Sequence, residues 1–331
     1  MVDASPVPPA DTRRRMFELM SVMKATDERM VKGITSGEFI AIYYPHRGQE
    51  AVAAALGAAL RPSDQLVSTY RNMHDHIGKG VPLVDLLGAV LARASSPDRG
   101  KGGTMHIASP EAGSMLSTGI VGGGVPVAIG LAMTAQLDGS DRVTAVCFGD
   151  GATNTGAFHE AANMAALWDL PVVLVCQNNL YGEMTPIDMT MKIGQVADRA
   201  AGYGMPGVRV NGNDPDETYG ALADAVERAR SGGGPTLVEC VTFRFGGHSI
   251  GDDMRYIPKE QMAEAQKHDP FPAYRQRLLS EGVATEEELA GVEAAAATTV
   301  NDAVAQVTRE APPAPDELRT HVYEHAEKMP V

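Results

Sequence analysis

The sequence predicts an α/β fold, a mostly parallel sheet flanked by helices, on three observations. Residues 142–148 and 172–176 are apolar runs that read as buried strands. Between them, 153–168 is rich in Ala, has no Pro, and reads as a helix stopped by Asp169-Leu170-Pro171. The 26 residues between Gly151 and Asn178 leave room for one helix and two short loops, and a parallel crossover needs about a dozen residues or more. The alternation then continues, with strands at 207–210 and 235–243 around a helix at 215–231.

The remaining elements follow in chain order. Residues 1–11 hold three prolines and small residues, which predicts a mobile arm ahead of a single domain over 12–331. Residues 12–33 read as a helix, and Gly48-Gln49-Glu50 leads into an Ala-rich helix ending near Leu60. Another helix covers 82–94. Residues 95–117 form a long Gly-containing stretch of low periodicity, the kind of loop that is functional or mobile. Residues 121–137 start with a triple glycine and become helical. From 246 to 256 periodicity is lost, 281–310 is a helical C-terminal region, and 312–331 reads as a tail.

The chemistry sits at strand ends. Phe148-Gly149-Asp150-Gly151 closes one apolar run and Asn178-Asn179 closes the next. In open parallel sheets, ligands bind outside the carboxyl ends of strands. A helix starting near Thr153 aims its N-terminus at the same place, which favours an anion. Oxygen donors from Asp and Asn suit Mg²⁺ or Ca²⁺ rather than zinc. Mg²⁺ completes its shell with phosphate and water, so a diphosphate is the natural third party.

Composition narrows the classes. Hydrophobic residues at 44% exclude general disorder, and a net charge of -14 argues against nucleic acid or an anionic membrane as partner. The long uncharged stretch 112–137 is interrupted by glycines and Pro126, which fits a loop and buried helix better than a membrane span. Cys147, Cys176 and Cys240 fall in predicted strands at spacings that fit no metal site, so buried reduced thiols in a cytoplasmic protein are expected.

Longer words in the chain carry a resemblance. Gly149-Asp150-Gly151 with Asn178-Asn179 resembles the thiamin diphosphate fingerprint. Asn163-Met164-Ala165-Ala166-Leu167-Trp168, Arg47-Gly48-Gln49-Glu50-Ala51, Gly100-Lys101-Gly102-Gly103-Thr104-Met105-His106 and Gly247-His248-Ser249 resemble the α subunit of the decarboxylating component of 2-oxo acid dehydrogenase complexes. Pyruvate, branched-chain 2-oxo acid and acetoin dehydrogenases share this subunit type. The resemblance runs in order from about residue 15 to about residue 280.

The resemblance implies a thiamin diphosphate-binding fold carrying the diphosphate-binding domain only. It implies Mg²⁺ held by Asp150, Asn179 and the Tyr181 carbonyl, with Gly151 and Ala152 offering backbone donors to the diphosphate. Tyr70 and Arg71 match a pair that holds the diphosphate, and a guanidinium fork suits phosphate. Gly119 lies beside the aminopyrimidine, and Val121 is the apolar wedge that keeps the cofactor bent. His248 matches a histidine near the diphosphate and the catalytic carbon.

The cofactor then supplies the hard chemistry and the protein positions it. By resemblance, carbon dioxide leaves a small 2-oxo acid, or a C–C bond breaks in acetoin. The acyl fragment passes to a lipoyl-bearing acyltransferase. The carboxylate that activates the pyrimidine belongs to a second domain, expected on a β subunit in an α₂β₂ heterotetramer. The helical C-terminal region and Met-containing surface segments are candidates for that contact.

Two departures bear on substrate. Tyr44 and Met73 stand where pyruvate- and acetoin-type members carry histidines, and His74 and His76 have no counterpart. The expectation is a less polar substrate pocket or relocated histidines. A 2-oxo acid dehydrogenase α subunit is the primary reading. An acetoin dehydrogenase α subunit is the alternative, and a non-catalytic thiamin diphosphate-binding paralogue is the third.

Overall fold

Six short strands lie side by side, all parallel. They are β1 Gln65–Thr69, β2 Ser114–Thr118, β3 Thr144–Gly149, β4 Val172–Asn178, β5 Gly207–Asn211 and β6 Thr236–Val241. Their order across the sheet is β2-β1-β3-β4-β6-β5. The computed structural model describes residues 7–320. From β1 the chain moves outward to β2, then returns to the other side of β1 as β3. That reversal opens a crevice at the carboxyl ends of β1 and β3, the place where open α/β sheets take ligands.

Both faces are covered, which explains why the strands are apolar runs rather than alternating ones. Ala145, Cys147, Val173, Val175, Val238 and Cys240 point to one layer. That layer holds the helices α1 Ala10–Thr35, α2 Glu50–Ala59, α3 Met73–Lys79, α4 Leu83–Val90, α7 Pro215–Arg230, α9 Pro270–Ser280 and α10 Glu286–Val307. Val146, Phe148, Val172, Leu174, Cys176 and Leu237 point to the other layer, under α5 Gly124–Asp138 and α6 Gly156–Leu167. A short helix, α8 Lys259–Lys267, precedes α9.

Local chemistry sets the helix starts. Thr155 caps α6 by accepting from the Phe158 N–H at 3.3 Å. Asp214 caps α7 with Pro215 in the first turn. Thr285 and Glu288 form a reciprocal capping box at α10. The helical C-terminal region packs along α1, so α10 spends its buried face within the chain.

Several expectations are corrected. The predicted arm 1–11 lies outside the described residues up to Pro6, and from Ala10 the chain is helical. The predicted tail 312–331 forms a 3-10 turn at Pro315–Arg319, and from His321 onward it lies outside the described residues. The helix placed at 153–168 is two elements, a 3-10 turn Asp150–Asn154 and then α6. The stretch 95–117 ends in a strand, β2. β1 and β2 are short and rich in hydroxyl residues, so their apolar signal is weak. Among the described residues no helix is long and apolar enough to cross a membrane.

Candidate active site

Every strand but β5 sends a loop into one cavity of about 490 Å³. Tyr70 and Arg71 follow β1, and Gly119 and Val121 follow β2. Asp150, Gly151 and Ala152 follow β3, Asn179 and Tyr181 follow β4, and His248 comes after β6. All ten residues named from the sequence therefore line the same space.

The Asn pair divides its labour. Asn178 points away from the cavity, donating to the Glu239 carboxylate at 2.6 Å and accepting from Leu180 N–H at 3.0 Å. Asn179 faces the cavity, and its Oδ1 accepts only a long bond from Tyr181 N–H, 3.3 Å. Leu180 between them sits at φ 71°, a left-handed turn that brings the chain back over the strand end. Gly151 and Gly182 then meet closely: a Cβ on Gly151 would stand 3.4 Å from the Gly182 Cα. The β3 and β4 loops touch there with no side chain between them.

Asp150 is buried, and its Oδ2 has no hydrogen-bond partner. Burial pushes its carboxyl up to about 6, partly offset by backbone amides and by Arg244. An unpartnered buried carboxylate oxygen is costly unless a charge meets it. The Tyr181 carbonyl receives only a 3.5 Å approach from Arg244. One carboxylate, one carboxamide and one carbonyl oxygen thus have spare lone pairs on the same wall. This all-oxygen set fits a hard cation that keeps phosphate and water ligands. Among the described residues no group of three or more His, Cys, Asp or Glu side chains is placed to hold a metal ion.

Positive charge faces that wall. Arg71 is buried and bonds only to carbonyls, those of Pro45, Gly247 (3.4 Å) and His248 (2.8 Å). Burial, then the neighbouring Arg244, lowers its guanidinium to about 10. Arg244 is the largest fully buried side chain among the described residues, and it lies just past β6. It donates to the Glu183 carbonyl and to the Tyr256 hydroxyl (2.9 Å), and its Nε has no partner. Among the described residues neither arginine is paired with a carboxylate; their side chains donate to carbonyl and hydroxyl oxygens, which leaves two cations at the cavity for an anion. The sequence reading missed Arg244. Its signal was its position, directly after an apolar strand that ends at the ligand edge of the sheet.

At the mouth three rings meet edge-on. Tyr44 lies 4.7 Å from Tyr70 and 5.4 Å from His248, and Tyr70 lies 5.8 Å from His248. Burial, then Arg71 and Arg244, lowers the His248 pKa, so its ring is neutral at pH 7, and its Nδ1 has no partner. Val121 is 53% exposed toward this space. Of the two departures named from the sequence, Tyr44 lines the cavity and Met73 does not; Met73 is a buried core residue at the start of α3. His74 and His76 are also buried, bonded to Gln177 and Ser114, so no relocated histidine enters the pocket from there.

A family model described as "Dehydrogenase E1 component" matches residues 17–316. The α subunit of acetoin:2,6-dichlorophenolindophenol oxidoreductase from Bacillus subtilis (strain 168) is 39% identical over 316 residues, covering 95% of this chain and 93% of that one. The 2-oxoisovalerate dehydrogenase subunit alpha of the same organism is 38% identical, covering 82% and 83%. The pyruvate dehydrogenase E1 component subunit alpha of Rhizobium meliloti (strain 1021) is 35% identical, covering 83% and 79%. With the strand-end cavity and its oxygen and guanidinium walls already in place, the chain belongs to the dehydrogenase E1 component family, among its α subunits.

Proposed function

We propose that this chain is the α subunit of a thiamin diphosphate-dependent 2-oxo acid dehydrogenase and holds the Mg²⁺-diphosphate half of the cofactor. One observation carries the reading. A buried, unpartnered Asp150 oxygen and two buried arginines without carboxylate partners face the same cavity at the strand ends. Asp150, Asn179 and the Tyr181 carbonyl are the cation ligands. Arg71, Arg244, Tyr70 and the amides of Gly151 and Ala152 take the diphosphate. Gly119 would line the place of the aminopyrimidine, and Val121 would be the apolar wedge that keeps the cofactor bent.

Bound thiamin diphosphate supplies a carbon nucleophile for a substrate carbonyl. The neutral His248 ring stands at that end, where it exchanges a proton or hydrogen-bonds with substrate. The aromatic trio of Tyr44, Tyr70 and His248 screens the reacting end from water.

The pyrimidine-activating carboxylate comes from a β subunit in an α₂β₂ assembly, and a lipoyl-bearing acyltransferase accepts the acyl group. Support comes from the elements after β6, which among the described residues are helices. Exposed Met184 and Met189 on the loop beyond the Asn pair are candidate contacts for the β subunit. The three cysteines are free and buried, in keeping with a cytoplasmic protein.

Acetoin is the second reading, favoured by two acetoin-type relatives that cover 95% of the chain. The test is co-expression with the β subunit and dye reduction over pyruvate, branched-chain 2-oxo acids and acetoin, with and without Mg²⁺ and thiamin diphosphate. Cofactor-dependent reduction with a 2-oxo acid above that with acetoin is the expected result. Preference for acetoin selects the second reading, and silence on every substrate rejects both.

A further inference from the structure

Along the cavity wall, polar side chains with little exposure run in one line from Asn179 at the cavity to Asp75 in the core. Asn179 Nδ2 donates to Gln49 Oε1 at 2.8 Å. Gln49 Nε2 donates to Gln177 Oε1 at 3.0 Å. Gln177 Nε2 donates to Asp75 Oδ1 at 2.7 Å. His74 Nε2 also meets Gln177 Oε1, at 2.8 Å, and Ser68 Oγ donates to Asp75 Oδ2 at 2.5 Å. Gln49, Ser68, His74, Asp75, Gln177 and Asn179 are all buried.

A primary amide is nearly symmetric in shape and opposite in chemistry at its two ends, since oxygen accepts and NH₂ donates. Nothing in the shape of Asn179 decides which end faces a ligand. The far end of the line decides it. The Asp75 carboxylate accepts, so it takes the NH₂ of Gln177. The Gln177 oxygen then faces Gln49 and takes its NH₂, and the Gln49 oxygen takes the NH₂ of Asn179. The Asn179 oxygen is left on the Tyr181 side. Reversing any one amide would set donor against donor or acceptor against acceptor in a buried place.

We propose that Gln49, Gln177 and Asp75 are positioning residues that relay polarity from a fixed acceptor to Asn179, so that its oxygen and not its NH₂ faces the cation. The inference rests on the reading of Asn179 as a Mg²⁺ ligand. Gln49 joins the β4 loop to the start of α2, so the Gly-Gln-Glu word near the N-terminus acts on the cation ligand Asn179.

The test uses the complex with the β subunit, Mn²⁺ as the probe and thiamin diphosphate present. Free Mn²⁺ is counted by electron paramagnetic resonance. Gln49→Met keeps the length of the side chain and neither donates nor accepts. It is expected to weaken Mn²⁺ binding roughly ten- to a hundredfold, the range for groups that orient metal ligands. Asn179→Asp has an oxygen at both ends and no wrong orientation. In that background a carboxylate oxygen meets the Gln49 oxygen, acceptor to acceptor, so Gln49→Met is expected to leave affinity within about twofold or to raise it. Equal losses in the two backgrounds would mean loosened packing and overturn the relay, as would unchanged affinity in the single variant. If Gln49→Met fails to assemble, Gln177→Leu removes the middle link in the same comparison. Asp150→Ala separates the two levels: wild-type Mn²⁺ affinity in that variant overturns the metal reading itself.

Discussion

Asp150→Asn should stabilise the cofactor-free chain while destroying its metal site. Burial raises the Asp150 carboxyl from 3.8 to about 6. A rise of about two units corresponds to roughly 3 kcal/mol against the ionised form in the folded state. The sign follows from proton linkage. Below pH ~4 the carboxyl is protonated in both folded and unfolded chains, and the penalty is absent. Between about 4 and 6 the folded chain holds a proton that the unfolded chain has released, so stability falls as pH rises. Above about 6 both are ionised and the full penalty is present. Asn keeps the shape without the charge. At pH 8, with chelator and no cofactor, the variant should gain up to roughly 3 kcal/mol, or about 5 °C in Tm for a chain of this size. The gain should disappear near pH 4. Adding Mg²⁺ and thiamin diphosphate should reverse the order, because only the wild type binds; at a thousandfold excess over Kd that is worth about 4.1 kcal/mol, more than the penalty. Thermal melts at the two pH values, with and without cofactor, read all four cases. A variant less stable than wild type at pH 8, or a gain that persists at pH 4, would refute the claim that Asp150 is held ionised at a cost.

Arg71→Met removes a buried cation that has no carboxylate partner. Diphosphate affinity in the complex should fall roughly ten- to a hundredfold, the worth of a hydrogen bond to a charged group, and calorimetric titration checks it. Gly48→Ala puts a Cβ into the Phe243 carbonyl oxygen at φ 95° and should cost roughly 3 kcal/mol or more in urea unfolding. Gly139→Ala, at φ 70° with open space around it, should cost only about 1 kcal/mol. Val121→Ala should leave Mg²⁺ affinity unchanged and lower turnover by about ten- to a hundredfold; an unchanged rate would remove the wedge role.

The central sheet was legible because β3 and β4 are buried on both faces and therefore read as apolar runs, as does β6 apart from the buried Glu239. The strand ends told where a ligand binds, and Asp150 and Asn179 told what kind. β1 and β2 were not legible. Ser68, Thr69, Ser114 and Thr118 dilute their hydrophobic signal, and β2 follows a loop whose turns look no different from it. Arg244 escaped because one arginine after a strand looks like a surface charge until its burial is known. Gln49 sits within a longer motif and carries no local sign of its role. Its partners lie 128 and 130 residues away, and no local pattern joins them. Met73 misled for the opposite reason: its match to a family histidine suggested the pocket, while the first turn of α3 carries it into the core.

The cysteines give the sheet a gauge of its own opening. Cys176 on β4 points into the layer under α5 and α6, and Cys240 on β6 points into the opposite layer. Both are fully buried, with thiols that burial pushes well above the ordinary range. A thiol reagent can reach one only by lifting helices from that side. Mass-resolved labelling of the two sites would clock the breathing of each layer separately. Those clocks would register a bound cofactor or partner as a slowing on whichever side it clamps, with no substitution made in the protein.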